Sequence, residues 1–366
     1  MKLRDYQIRI KEKVLQEFNQ RDSVLVSSPT GSGKTIMGMS IIEEVLRANP
    51  DFRVGWTSIR KYHLEQAERA RLNYGLTREI SYISMFQKKI PQVDLLIVDE
   101  AHHDACSTMW NLHQEAKAKK ILGLTATPSR SDKAVLAFQS FVQDSSIHQL
   151  IQEGWLSTFR LYQIPSFTPE AVALTYIHHA ELFGKTVMYF HTMEQCKTCL
   201  DLLAASGVKA IIVNQNSDDE KAIQALKKGE VKVLINMNKL TEGFDYDDLD
   251  TVFIRPSCKS FTIQAGGRVL RVSPNSKVKN IVQCLNTETP FTLIADPQER
   301  FVQQGSSSWV STQCHKNLWQ TEIIKNTEHI LAAKTAKIAS FASKISFSRL
   351  NGNTKVQKVT KEKNHD

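Results

Sequence analysis

Hydrophobic positions in the first half of the chain occur as short apolar runs separated by longer segments with helical spacing. The runs at 23–26, 53–57, 80–83, 95–98 and 121–124 are four or five residues long, which is typical of buried strands. Because helix-like segments separate successive runs, the pattern predicts a mostly parallel sheet with helices on both faces.

The second half of the chain repeats this alternation. Its apolar runs are 186–190, 210–213, 231–235 and 251–254, with a helix-like segment at 193–205 after the first run. Gly154 and Pro165 bracket a segment that we interpret as a linker. The sequence therefore predicts an α/β fold with two doubly wound parallel-sheet lobes, over 1–155 and 160–285, followed by a C-terminal extension over 286–366.

A glycine-rich run, SSPTGSGKT at 27–35, joins the first predicted strand to the helix-like segment that follows it. A loop at this position directs backbone N–H groups and a helix N-terminus at one point, and such an arrangement binds phosphate. Lys34 would reach the β- and γ-phosphates, and the Thr35 hydroxyl would bind Mg²⁺. An ordinary tight turn is the alternative, which the order of strand, loop, Lys-Thr and helix disfavours. The other expected ATP contacts of the loop are Pro29, Thr30, Gly31, Ser32 and Gly33.

The apolar run at 95–98 ends in two carboxylates, within the sequence LLIVDEAHH. Ligands of parallel α/β sheets bind outside the carboxyl ends of the strands, so both acids are expected beside the glycine-rich loop. We expect Asp99 to hold Mg²⁺ through water and Glu100 to orient and deprotonate the attacking water. A strand followed by a solvated acidic turn is the alternative, which the upstream phosphate-binding loop disfavours.

These two blocks begin a longer series, in which the chain resembles the DEAH-type superfamily 2 helicases and translocases over residues 1–285. The further blocks, in the family's order, are LRDYQ at 3–7, GLTATPSR at 123–130, LTEGFD at 240–245 and QAGGRVLR at 264–271. The resemblance implies two RecA-like lobes with an ATP cleft between them. It also implies Mg²⁺-dependent ATP hydrolysis coupled to closure of the lobes.

The resemblance also implies which residues contact the nucleotide. Gln7 would bond the edge of the adenine, with Arg4 stacked beside it, and Gly243 and Asp245 would contact the nucleotide from the second lobe.

Other residues of the same blocks would act on the reaction itself. The resemblance places Gln264 near the γ-phosphate and makes Arg268 and Arg271 arginine fingers. Phosphoryl transfer is catalysed mainly by cations around the transferring group, so fingers on a separate lobe would act only when the lobes close. The residues implied to couple hydrolysis to lobe movement are His102, Thr125 and Thr127.

Nucleic-acid contacts are expected where small polar side chains follow the predicted strands. Hydroxyl, amide and basic groups suit phosphate and sugar contacts, which carry no sequence information. For each residue, helix capping or a solvated loop is the alternative. The candidates are Ser58, Arg60, Ser81, Ser84, His191, Asn236 and Lys239.

Composition agrees with a polyanion-binding protein, since the formal net charge is +9 and the pI is about 9.1. The N-terminus lacks the apolar region of a secretory signal, and no stretch approaches the ~18 apolar residues that span a bilayer. The six cysteines, at 106, 196, 199, 258, 284 and 314, do not form a disulfide framework. We therefore expect a cytoplasmic protein, and the family resemblance implies a bacterial or phage-infected cell.

The cysteines leave two alternatives open. Cys196 and Cys199 lie in a helix-like run and are interpreted as core thiols. The later cysteines leave a separate alternative, a zinc site, because four side chains after residue 257 could converge in space although their spacing is long. These side chains are Cys258, Cys284, Cys314 and His315.

The end of the chain is basic, with ten Lys/Arg and four Asp/Glu over 316–366. Ile324, Leu331, Ile338 and Ile345 recur every seven residues, which predicts an amphipathic helix that contacts a lobe or a duplex. The last residues are rich in Lys and Asn and are expected to be disordered.

We expect an ATP-dependent nucleic-acid motor that acts on DNA rather than RNA, with a monomer on its substrate. The DNA preference rests on resemblance to compact phage and bacterial branch-migration and repair helicases. The chain departs from the family pattern at Tyr246-Asp247-Asp248, which is expected to alter the nearby surface and leave the catalytic residues intact. The alternative is an ATP switch, or a translocating subunit of a restriction or defence complex, that does not separate strands.

Overall fold

The computed structural model describes residues 2–84, 86–103, 107–127, 138–214, 217–241, 246–276, 278–305 and 308–312. The chain divides into two units, 1–311 and 312–366, and only Thr312 of the second unit is among the described residues. The predicted C-terminal amphipathic helix therefore lies outside the described residues.

The first lobe is a parallel sheet of six strands in the order β3-β2-β4-β5-β1-β6. Its strands are β1 (Ser23–Ser27), β2 (Val54–Ser58), β3 (Ile80–Ser84), β4 (Leu95–Asp99), β5 (Lys120–Thr125) and β6 (Ser140–Gln143). Its helices are α1 (Asp5–Phe18), α2 (Lys34–Ala48), α3 (Lys61–Tyr74), α4 (Ser107–Ala116) and α5 (Ile147–Gln152), with a 3₁₀ turn at Ala101–His103.

Burial explains why these segments fold as they do. The first four residues of β4 are buried, because the strand lies between β2 and β5 with elements packed on both faces. Helix α1 buries Tyr6, Ile10, Val14 and Phe18, a spacing of four residues that places one apolar stripe against the sheet.

The second lobe is an eight-stranded sheet in the order β14-β13-β7-β12-β11-β8-β10-β9, parallel except for the pair β13 and β14. Its strands are β7 (Thr158–Ile164), β8 (Thr186–Tyr189), β9 (Ala210–Val213), β10 (Val233–Asn236), β11 (Thr251–Ile254), β12 (Val278–Cys284), β13 (Glu299–Gln304) and β14 (Ser308–Ser311). Its helices are α6 (Pro169–His178), α7 (Ala180–Phe183), α8 (Met193–Ala205), α9 (Asp219–Lys228) and α10 (Lys259–Val269), with 3₁₀ turns at Lys239–Thr241 and Phe291–Leu293.

All nine predicted strands are present, and five strands were not predicted. The predicted linker over 154–165 is wrong for most of its length, because Thr158–Ile164 is strand β7 and pairs with β12 and β13. Gly154 and Pro165 flank the strand rather than a loop. The second sheet also continues through β14 to Ser311, past the predicted lobe boundary at residue 285.

Within the part of the chain that the structure describes, no helix has the length and apolar character that crossing a bilayer requires.

Candidate nucleotide-binding site

A cavity of about 1040 Å³ is lined by residues of both lobes. The first lobe contributes the glycine-rich loop and the carboxyl end of β4, and the second lobe contributes the end of α10 and residues 246–248. The structure thus brings together residues that are far apart in sequence. The predicted site residues on the cavity wall are Arg4, Thr30, Gly31, Gly33, Lys34, Thr35, Asp99, Glu100, Arg268 and Arg271.

The loop between β1 and α2 has the conformation that its glycines allow. Gly31 and Gly33 have φ angles of +83° and +77°, in the region where a side chain is strained. The loop is closed by a hydrogen bond of 2.7 Å from the hydroxyl of Ser28 to that of Ser32, and Pro29 O accepts from Ser32 N. No side chain caps α2, so its first backbone N–H groups are available to a phosphate at the helix N-terminus.

The first helix holds this loop in place. Gln7 Nε2 and the Tyr6 hydroxyl both donate to the carbonyl oxygen of Ser32, at 2.8 and 2.6 Å. A Cβ at Gly33 would lie 2.8 Å from Gln7 Nε2, so a side chain there would displace this amide from the loop. Gln7 Oε1 also accepts from the backbone of Arg4, and the residue is 4% exposed. Gln7 therefore positions the loop here, and its contact with a base stays a prediction.

Trp155 is a cavity residue that the sequence reasoning missed. The Arg4 guanidinium lies 4.9 Å from the centre of the Trp155 ring, and both side chains line the cavity. Tyr6 packs edge-on against the same ring. A half-buried aromatic beside an arginine is a surface on which a planar base can stack. The only sequence signal was a tryptophan after a helix C-terminal glycine, Gly154, between the two lobes.

The acidic pair at the end of β4 is held in a strained conformation. Glu100 has a φ angle of +52°, which is uncommon for a residue with a side chain, and its N–H donates to Asp99 Oδ1 at 3.0 Å. Burial, followed by the charge of Glu100, raises the pKa of Asp99 to about 7. Glu100 Oε2 is buried without a hydrogen bond and lies 3.5 Å from His102 Nδ1. Two adjacent carboxylates therefore lie at the end of β4, and one of them has a buried oxygen without a hydrogen bond.

Lys34 faces these acids from the loop. Burial lowers the pKa of the Lys34 amine, and the charges of Glu100 and Asp99 oppose that effect. The amine lies 3.4 Å from its acceptor, Ser28 O, a long hydrogen bond that a phosphate oxygen could replace.

The donor set fits Mg²⁺ bound together with a nucleotide. Asp99 supplies a carboxylate and Thr35 a hydroxyl on the cavity wall, and a buried Glu100 oxygen is unpartnered beside them. No cluster of three His, Cys, Asp or Glu side chains among the described residues could hold a metal alone. Mg²⁺ at a phosphate-binding loop needs only one or two carboxylates, because phosphate oxygens and water complete its shell.

Helix α10 brings the second lobe to the glycine-rich loop. A Cβ at Gly267 would lie 2.8 Å from Thr30 Cβ, and one at Gly31 would lie 3.4 Å from Arg271 Cγ. The close approach places Arg268, 8% exposed, and Arg271 on the cavity wall. Burial lowers the pKa of Arg271 to about 10, so this guanidinium remains charged near neutral pH.

The departure from the family pattern reaches the cavity. Tyr246, Asp247 and Asp248 all line it, and Arg271 Nη1 donates to Asp247 Oδ1 at 3.4 Å. The segment therefore reaches the cavity as well as the nearby surface, and one of its carboxylates contacts a predicted finger. That the catalytic residues are left intact stays a prediction. Burial, followed by the charge of Asp248, raises the pKa of Asp247.

His102 connects the two lobes. Thr125 donates its hydroxyl proton to Thr127 O, so the same oxygen accepts from His102 Nδ1 at 3.2 Å. In neutral His102 the other nitrogen, Nε2, then accepts from Gln264 Nε2 at 3.4 Å. The three predicted coupling residues form one chain of contacts that ends on helix α10 of the second lobe.

Two groups of predicted residues remain outside this geometry. Gly243 and Asp245 lie outside the described residues, as do Cys314 and His315.

Cys196 and Cys199 are buried in α8, and burial raises the pKa of both thiols, as expected of core residues. Cys258 is exposed and Cys284 is half-buried in the sheet, with its thiol 3.8 Å from Pro165 O, so the zinc alternative gains no support.

The nucleic-acid candidates of the first lobe differ in accessibility. Ser58 is 1% exposed, and its hydroxyl lies 3.0 Å from His63 Nδ1. Arg60 Nη1 donates to the carbonyl oxygen of Lys239 in the second lobe, at 3.2 Å. Ser81 is exposed and Ser84 is half-buried at the edge strand β3.

In the second lobe, two of the three candidates stabilise the fold. Asn236 has no exposed surface, and its amide bonds the Met188 carbonyl and the Leu240 N–H. The Lys239 amine donates to the carbonyl oxygens of Asn214 and Ser217.

His191, the third candidate, is exposed after β8. Its Nδ1 lies 2.9 Å from Nη1 of Arg255, a residue the sequence reasoning did not select. The contact roles of all three stay predictions.

Two family models match the chain. The model described as "Type III restriction enzyme, res subunit" matches residues 1–79 and 76–130, and the model described as "Helicase conserved C-terminal domain" matches residues 170–273. The first match contains the glycine-rich loop and the acidic pair, and the second contains α10 and both predicted fingers, Arg268 and Arg271. The two models therefore meet at the cavity.

Individual relatives are distant and longer. The "51.5 kDa protein" of Lactococcus phage (isolate 7-9) is 23% identical over 64% of this chain and 59% of its own length. "Putative helicase 22" of Sulfolobus islandicus filamentous virus is 23% identical over 79% of this chain and 65% of its own length. The chain thus spans less than two thirds of either viral relative.

A solved structure has the same fold. It is the ATP-dependent Type ISP restriction-modification enzyme LlaBIII bound to DNA, which superposes with a TM-score of 0.58 at 16% identity and covers 81% of this chain and 29% of its own. The two parallel-sheet lobes, both family models and the helicase-named relative all indicate the same family. The chain belongs to the superfamily 2 helicase-like proteins.

Proposed function

We propose that this protein is a nucleic-acid-stimulated ATP hydrolase that translocates on DNA and uses the closure of its lobes to unwind, migrate or repair DNA. The observation that carries the proposal is the shared cavity, in which Lys34, Asp99 and Glu100 of one lobe face Arg268 and Arg271 of the other. Such an assembly places cations and acids on both sides of a transferring phosphate.

Each side chain has a place in the reaction. Lys34 neutralises the β- and γ-phosphates, and the N–H groups at the start of α2 bind them. Glu100, held at the strand end by its unusual backbone angle, orients a water and accepts its proton. Arg268 and Arg271 stabilise the charge that develops on the phosphoryl oxygens. Mg²⁺, when bound, supplies further charge neutralisation beside Asp99 and Thr35.

Coupling to nucleic acid follows from the position of the fingers. They belong to the second lobe, so hydrolysis requires that both lobes stay together around ATP. A nucleic-acid strand that contacts both lobes would favour this arrangement. The contact between His102 and Gln264 would then couple binding of the strand to ATP hydrolysis. The carboxyl edges of the two sheets, with Ser84 at the end of β3 and His191 after β8, offer the surface for such a nucleic-acid strand.

An ATPase assay tests the proposal. Turnover is measured alone and with single-stranded DNA, duplex DNA, forked DNA and RNA of the same sequence, and strand displacement and branch migration are followed in parallel. We expect stimulation by DNA above that by RNA, together with displacement or migration. A chain without ATPase activity would contradict the proposal, and equal stimulation by RNA would remove the DNA preference.

A second candidate is a translocating subunit or ATP switch that does not separate strands. Both the restriction-subunit family model and the restriction-modification enzyme of the same fold favour it. It predicts strong DNA-stimulated ATPase with neither displacement nor branch migration in the same assay.

A further inference from the structure

Arg255 follows strand β11 and lies at the centre of a polar cluster on the second lobe. Its Nη1 bonds His191 Nδ1 at 2.9 Å and Ser257 Oγ at 3.3 Å, and its Nη2 donates to Asn238 Oδ1 at 2.6 Å. The guanidinium stacks on Phe261, 4.1 Å from the ring centre. Three hydrogen bonds and one ring contact, from four different neighbours, hold the guanidinium in one orientation.

None of these partners carries a compensating charge. Among the residues that the structure describes, Arg255 has no contact with a carboxylate. Burial, followed by the charge of Arg255, lowers the pKa of His191, so this ring is a neutral acceptor near pH 7. Arg255 Nε is buried without a hydrogen-bond partner. Half-burial of the Arg255 guanidinium costs free energy of desolvation, and no ion pair among these neighbours offsets that cost.

The position of the cluster is that of a ligand site. Strands β11, β8 and β10 are neighbours in the sheet, and Arg255, His191 and Asn238 follow their carboxyl ends. Ligands of parallel sheets bind at this edge. His191 and Asn238 are exposed, so an anion can approach the guanidinium between them. The planar donors of arginine match the oxygens of a phosphate, which is the anion that a nucleic-acid backbone offers at every position.

We propose that Arg255, oriented by His191, Asn238 and Phe261, binds a backbone phosphate of the nucleic-acid strand on which the motor acts. The inference rests on the proposed function and adds a contact point to it. It also explains why Asn236 and Lys239 can be committed to the fold of the same edge. Arg255, which follows β11, the next strand along the chain, binds the phosphate instead.

The test is a binding titration of the full chain with fluorescein-labelled single-stranded DNA, and separately with RNA of the same sequence, at several salt concentrations. Arg255→Gln removes the charge and keeps a polar side chain. Lys232→Gln is the matched control, because it removes one charge from an exposed residue at the opposite, amino edge of β10. Arg255→Lys keeps the charge and loses the planar group, so it separates the effect of the charge from that of the guanidinium's shape. ATPase activity without nucleic acid serves as the measure of folding.

Arg255→Gln should weaken binding about tenfold or more and lower the slope of log K against log salt by about 0.7. Arg255→Lys should keep the slope and lose part of the affinity, while Lys232→Gln should bind like the wild type. Equal affinity and slope in Arg255→Gln and wild type would overturn this inference and leave the proposed function standing. A wild-type chain that hydrolyses ATP but binds neither DNA nor RNA would overturn both.

Discussion

His102 in the first lobe and Gln264 in the second meet with 3.4 Å between His102 Nε2 and Gln264 Nε2. The opposite nitrogen of the same ring bonds Thr125, whose hydroxyl bonds the backbone of Thr127. One imidazole thus links the end of β5 to α10, the helix that carries Arg268 and ends two residues before Arg271. A contact that spans two lobes is made or broken by their closure, so it can couple nucleic-acid binding to hydrolysis.

His102→Phe keeps the volume of the ring and removes both hydrogen bonds. We expect basal ATPase to change little and stimulation by DNA to fall about fivefold or more, the usual size of a coupling between two sites. His148→Phe is the control, because His148 is half-exposed and pairs with Asp296 instead. Basal and stimulated turnover, measured side by side, separate the two effects. Equal losses in both would indicate a structural role for the ring.

The glycine-rich loop and the acidic pair predict two different defects. Lys34→Ala removes the amine that faces the phosphates and should abolish both ATP binding and hydrolysis. Glu100→Gln keeps the volume and should retain ATP binding while slowing turnover about 100-fold or more, because the water loses its base. Nucleotide binding by equilibrium titration and single-turnover hydrolysis check the pair. Wild-type turnover in Glu100→Gln would contradict the base role.

The fingers predict loss of turnover without loss of affinity. Arg268→Ala and Arg271→Ala should each lower kcat by about 10³-fold, since a finger acts on charge that develops only in the transition state. KM for ATP should change much less. Arg160→Ala is a control, because that guanidinium pairs with Glu299 on the second sheet. If either finger variant lost affinity and kept its kcat at saturating ATP, that residue would be a binding residue.

Trp155→Ala should raise KM for ATP and leave kcat unchanged, which is the opposite of the effect expected for the finger variants. The ring lies beside Arg4 on the cavity wall, where it can stack on a base far from the reacting phosphate. Contacts that are equal in the ground and transition states change KM and leave kcat unchanged. We expect KM for ATP to rise about fivefold or more, with Trp155→Phe close to wild type. A fall in kcat at unchanged KM would assign the ring to lobe closure instead.

Motifs with a fixed local mechanism could be predicted from the sequence. The loop around Lys34 and the acids at the end of β4 carry their chemistry within a few residues, and the structure places them on one cavity wall. The alternation of apolar runs likewise predicted nine strands. Strand β7 was missed, because Arg160 and Gln163 interrupt its apolar positions and the flanking Gly154 and Pro165 are typical of a linker.

Contacts that depend on tertiary neighbours could not be predicted. Asn236 and Lys239 have the right chemistry for phosphate, but backbone groups that come close only in the folded lobe bind their side chains. Arg255 is one of many arginines in the sequence. It stands out only when its neighbours are known to be neutral.

Asp144 provides a test of acid stability outside the cavity. Its side chain is 7% exposed and accepts from Arg9 and Lys13 of α1, so it ties this helix to the segment after β6. Burial alone would raise the pKa of Asp144, but the bonds from Arg9 and Lys13 outweigh it and hold the pKa at about 2. The folded state thus favours the ionised carboxylate.

A lowered pKa adds stability above the ordinary value near 3.8, and this contribution is lost as the pH falls towards 2. Asp144→Asn should therefore lower the free energy of unfolding by about 2 kcal/mol at pH 7, with a difference that shrinks between pH 5 and about pH 2. Denaturant unfolding across this range measures it. Asp51→Asn, at an exposed loop, is the control for removal of one surface charge. A difference for Asp144→Asn that stayed constant with pH would show that packing, rather than charge, holds the helix.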